Sequence, residues 1–92
     1  MIQVYKMCNL PPRRVLSAAV DYFGPGGLDL ERTGSSPTSL SFRQGRGFVT
    51  VEALPSENAS QKSRVQVSAR EWERYAREFL DRLDKQARGT AD

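Results

Sequence analysis

Histidine is absent from the 92 residues of this chain, and cysteine occurs once, at Cys8. Without histidine, ordinary zinc fingers, His-based metal centres and Ser-His-Asp triads are excluded. One cysteine cannot close an intrachain disulfide and carries no sign of an oxidising compartment, so a cytoplasmic location is the expectation. A thiol becomes a nucleophile only beside a base or a cation that favours thiolate, and Cys8 therefore reads as packed and inert. No apolar run is long enough to span a bilayer, and the N-terminal stretch lacks the unbroken apolar core of a secretory signal. Asn58-Ala59-Ser60 matches a glycosylation sequon, which without such a signal reads as chance. Strong charge is missing too. The formal net charge is +3, and from Val67 onward Arg70, Arg74, Arg77, Arg82, Lys85 and Arg88 balance Glu71, Glu73, Glu78, Asp81, Asp84 and Asp92. That falls short of the clustered basic stripe of a nucleic-acid footprint.

What is present is pattern. Trp72, Tyr75, Ala76, Phe79, Leu80, Leu83 and Ala87 recur three and four apart, one continuous apolar stripe on a helix predicted from about Ala69 to Ala87. Ser68 with Glu71 three residues later reads as its capping box. A shorter helix is expected after Pro11-Pro12, burying Val15, Leu16, Ala19, Val20 and Phe23 and stopped by Gly24-Pro25-Gly26-Gly27. Between the helices, alternation predicts strands at 28–32, around Leu40 and Phe42, and at 48–53, with a hairpin tip at Gln44-Gly45-Arg46-Gly47. Gly34-Ser35-Ser36-Pro37 reads as a turn and 55–63 as a polar loop. Residues 2–7 are the first strand, with Ile2 and Val4 on one face and Tyr5 and Met7 partly on the other; Val65 and Val67 belong to the last.

The expected fold is α+β: a curled antiparallel sheet of four or five strands in the order β-α-β-β-β-β-α, with a short N-terminal and a long C-terminal helix on one face. Residues 1–88 make a single domain and 89–92 a frayed tail. The stretch from Leu10 to Asp21, where prolines follow strand one, and the closing helix from Glu71 to Leu83 together resemble the helix-grip superfamily of START, Bet v 1 and polyketide-cyclase-like domains. Fewer strands, and GPGG where that superfamily has a second short helix, mark a shortened version. The resemblance implies a binding module for a small apolar ligand or a protein partner; the chain is expected to be non-enzymatic and to need no cofactor.

The candidate ligand-lining residues are Phe42, Val51 and Val67 on the sheet and Tyr75 and Phe79 on the helix. A domain this small needs nearly all its apolar side chains for its core, so a sheet closed directly on the helix is the competing expectation. Gly24-Pro25-Gly26-Gly27 follows a helix and lacks the P-loop lysine, which leaves it a helix stop. The carboxylates Glu73, Glu78, Asp81 and Asp84 alternate with arginine and lysine at helical spacing, the pattern of a solvated face. Arg43 and Arg46 by the hairpin tip, flanked by Phe42 and Phe48, supply the alternative of nucleic-acid association. A third possibility is an accessory subunit that pairs through a sheet edge.

Overall fold

In the computed structural model, backbone is described for residues 1–56 and 59–89, with side chains for all of these except 59–61 and 86–89. The elements run β1 (Ile2–Cys8), α1 (Pro12–Phe23), β2 (Glu31–Ser35), β3 (Ser39–Gln44), β4 (Gly47–Ser56), β5 (Ala59–Arg70) and α2 (Glu73–Gly89). The strands form one antiparallel sheet in the order β1-β5-β4-β3-β2. This is the α+β architecture expected from the sequence, with five strands. α1 packs on β3, β4 and β5, and α2 on β1 and β5, so both helices lie on one face.

Registered neighbours in an antiparallel sheet share a face. Under the helices lie the rows Phe42–Val49–Ala69–Ile2, Leu40–Val51–Val67–Val4 and Ala53–Val65–Lys6. Against them pack Val15, Ala19 and Phe23 of α1 and Ala76, Phe79, Leu80 and Leu83 of α2. Phe23 is the hub, with its ring 5.2 Å from Phe79 and 5.6 Å from Phe42. The one buried polar side chain among the described residues, Ser63, donates its hydroxyl to the Leu10 carbonyl at 2.5 Å and ties the chain after β1 to β5.

Three boundaries differ from the sequence reading. Ser68 is not a cap: it lies inside β5, registered with Gln3 on one side and Thr50 on the other. The β-ladder continues to Arg70 because strands on both sides supply hydrogen-bond partners there and Ala69 fills the core. Glu71 then takes a left-handed φ of 66°, turning the chain into α2, which begins at Glu73. Glu73 is the acidic residue of the first turn of α2, and nearby backbone amides, its own first, hold its carboxyl below the usual carboxylate range.

The polar stretch 55–63 is largely strand, since β4 reaches Ser56 and β5 starts at Ala59; Asn58 of the sequon lies outside the described residues. β2 falls later than its alternation suggested, at 31–35, and takes in Gly34 and Ser35. The turn follows it, with the Ser36 hydroxyl accepting from the amides of Thr38 and Ser39. Of the tail expected to fray, Gly89 closes α2 and 90–92 lie outside the described residues.

Two punctuation marks behave as read. The amides of Leu28 and Leu30 bond back to the carbonyls of Tyr22 and Phe23, closing α1 at the GPGG stop. At the β3–β4 tip, Gly45 supplies the positive φ, 61°, of a two-residue hairpin loop. Gly47 has a different reason. A Cβ there would stand 2.5 Å from the Trp72 indole nitrogen and 2.7 Å from the Arg70 carbonyl oxygen, so the indole packs where any side chain would be.

Candidate functional site on the open face and edge of the sheet

The five candidate ligand-lining residues divide. Phe42, Val51, Val67 and Phe79 are 0–1% exposed and belong to the packed core between sheet and helices. Tyr75 is half-buried and packs against the margin of the core, its ring 5.5 Å from that of Trp72. There it borders an open groove of about 470 Å³ between α1 and α2, whose floor includes Phe79 and whose walls carry Tyr22, Glu78 and Arg82. The Tyr22 hydroxyl donates to Glu78 at 2.9 Å, and the Arg82 guanidinium lies 4.9 Å above the Tyr22 ring. Burial, and then the bond to Glu78, push the Tyr22 phenol up to about 12. Glu78 and Arg82, on the helix face that the sequence pattern marks as solvated, thus bind one helix to the other through Tyr22. The period of α2 could not reveal this, because the partner is 56 positions away.

Arg43 and Arg46 are exposed. Arg43 belongs to a row on the open sheet face that runs Glu31–Arg43–Phe48–Arg70. Arg46 occupies the second position of the adjacent hairpin loop. The structure therefore adds Arg70 to this end of the sheet and sets Glu31 in the same row.

The rest of the open face is polar through its middle, where Ser41, Thr50, Ser68 and Gln3 form one row and Ser41 and Thr50 share a hydrogen bond of 3.4 Å. Towards the opposite end it becomes apolar. Tyr5 (69% exposed) closes the row Glu52–Gln66–Tyr5, and Met7 (56%) and Leu54 (39%) flank Arg64 in the next. These are three of the four large hydrophobic side chains exposed among the described residues, and they form one patch with a shallow concavity of about 420 Å³. Clustered exposed apolar side chains are what marks a recognition surface; scattered ones are ordinary.

The patch adjoins an edge. β1 pairs only with β5 and presents its other side to solvent. Along that side a second groove, of about 490 Å³, is lined by Val4, Tyr5 and Lys6 of β1 and by Arg77, Leu80 and Asp81 of α2. Lys6 points towards the helix and is paired with Asp84 at 2.5 Å.

Neither Tyr5, Met7 nor Leu54 was singled out from sequence. The signal was nonetheless there: a strand covered on one face should alternate apolar and polar, and Ile2-Gln3-Val4-Tyr5-Lys6-Met7 is apolar on both. Cys8 points into the core at 2% exposure, and burial pushes its thiol above the ordinary value. Among the described residues no helix is long and apolar enough to cross a membrane, and no cluster of His, Cys, Asp or Glu could hold a metal ion. No protein-family model, curated protein or solved structure matches this chain.

Proposed function

We propose that this is a non-enzymatic, cytoplasmic protein-recognition module that engages its partner through the β1 end of the open sheet face. The observation that carries the reading is the patch of Tyr5, Met7 and Leu54, exposed together at the β1 end of a face whose middle is lined by serine, threonine and glutamine. Leaving such side chains in water forgoes roughly 1.5–3 kcal/mol each, a gain recovered only if something covers them. The helix-grip-like assignment belongs to the same proposal. Its support is the β-α-β-β-β-β-α order with both helices on one face.

An apolar ligand held between sheet and helices is disfavoured by the filled interior. The small-ligand reading moves instead to the groove between α1 and α2, where Tyr22, Tyr75 and Phe79 offer ring surface beside Glu78 and Arg82. Nucleic-acid association ranks below both, because Glu31 lies directly across from Arg43.

The test is a photo-crosslinking residue placed at Tyr5 or Leu54 in cells that make the protein, with the exposed α1 position Arg13 as control. One dominant protein adduct is expected from the patch positions, lost on Met7→Ser and absent from Arg13. No adduct from the patch, or the same adducts from Arg13, contradicts the reading.

A further inference from the structure

We infer that the partner at the β1 edge is a second copy of this chain, joined about a two-fold axis so that the two β1 strands pair antiparallel. The inference rests on the recognition reading above and names the occupant of that same surface. Three features of the edge fit a copy.

The first is length and face. Both copies keep their helices on one side only if residues of the same face stand opposite each other, which restricts the register to even offsets. An axis at Tyr5, the centre of Ile2–Cys8, pairs all seven residues of the strand and sets Ile2 opposite Cys8, Gln3 opposite Met7 and Tyr5 opposite itself. On the open face, Tyr5 of each copy then lies beside Tyr5 of the other, and Met7 beside Gln3 with Tyr5 on the diagonal.

The second is spacing. α2 packs on both β1 and β5, so its axis lies above the gap between them. Adding a copy at the normal strand spacing of about 4.8 Å puts the two α2 axes about two spacings, or roughly 9–10 Å, apart. Helices in contact pack at about 8–10 Å. The groove between β1 and α2 is therefore the space that the other copy's helix flank would fill.

The third is charge. Arg77 and Asp81 are exposed, one helical turn apart on the wall of that groove, with Leu80 between them. Neither has an ion-pair partner among the described residues. A two-fold axis through the groove reverses their order, bringing Arg77 of each copy to Asp81 of the other. A lysine directed inward from an edge strand usually guards against such pairing. Here Asp84 neutralises Lys6 within its own chain, so no uncompensated charge meets the incoming strand.

The experiment is sedimentation equilibrium of the whole chain through the micromolar range, for wild type, Arg77→Asp, Asp81→Arg and an equimolar mixture of the two variants. Wild type should be a dimer. Each variant alone sets like charges opposite each other twice and should dissociate at least about tenfold more readily, whereas the mixture restores both attractions and should recover a heterodimer. Both positions are exposed, and matching circular dichroism spectra will show that the variants fold. Arg46→Asp, a charge change at the far hairpin, should associate as wild type does. A monomeric wild type, variants that dimerise like wild type, or a mixture no tighter than its components would each overturn the inference. A monomeric wild type whose Tyr5 crosslinks to a different protein would overturn the second copy and leave the recognition reading standing.

Discussion

β1 and β2 are the two edges of one sheet, and they are finished differently. β2 is five residues long, every residue is exposed, and its register with β3 slips between Arg32 and Gly34. A short, irregular, polar strand is a poor template for another chain. β1 is seven residues long and in unbroken register with β5, with α2 over one face and Tyr5 and Met7 bare on the other. One edge is blunted and the other presents a regular, partly apolar template. The difference is what turns a small domain with a filled core into a candidate for assembly.

The comparison can be broken most severely from beneath. α2 stays over β1 because Phe79, Leu80 and Leu83 are buried against the sheet and α1. Phe79→Ala should cost about 3–5 kcal/mol in urea unfolding, the range for emptying an aromatic core site. That is a large share of the roughly 5–15 kcal/mol that holds a domain of this kind together. A loss below about 1 kcal/mol would mean that α2 is not held this way.

The opposite half of the sheet offers the next largest effect. Gly47→Ala drives a methyl into the Trp72 indole and the Arg70 carbonyl. It should cost about 1–3 kcal/mol, as overpacking does. Trp72 fluorescence should shift with it, and an unchanged unfolding midpoint would show that the indole yields freely.

A smaller effect depends on pH and tests the tie between the helices. Folding raises the Tyr22 pKa from 10.0 to about 12. The unfolded chain therefore loses this proton first, and the stability linked to it is complete below pH 10 and lost as pH climbs to about 12. Tyr22→Phe should flatten the fall in unfolding midpoint across that window and remove the high-pH component of the phenol titration. An identical pH profile in the variant would contradict the Glu78 bond.

The smallest effect on stability sharpens the comparison most. Tyr5→Ser with Met7→Ser removes apolar surface that covers nothing in the single chain, so its unfolding free energy at high dilution should stay within about 0.5 kcal/mol per site. A loss above about 2 kcal/mol would make these side chains part of the fold and end their reading as a recognition patch.

How far the sequence disclosed this molecule follows from which forces are local. The stripe of α2, the GPGG stop and the Gly45 tip rest on periodicity or on φ preferences within a few residues, and each is legible. Ser68 misled because a capping box is also a local pattern, and the ladder supplied by Gln3 on β1 and Thr50 on β4 outweighs it. The pairing of Tyr22 with Glu78 joins residues far apart in the chain, so no local spacing marks it. The exposed patch lies between. Its apolar side chains could be read along β1, but their company with Leu54 and Arg64 depends on the β4–β5 register. That register in turn needed strands where 55–63 suggested a loop.

The most direct measurement is amide hydrogen exchange along both edge strands as protein concentration is raised through the micromolar range. The account predicts that β1 amides facing solvent in the single chain gain protection with concentration, while those of β2 do not change. Protection that rises equally on both edges, or on neither, would contradict the claim that β1 is the edge built for assembly.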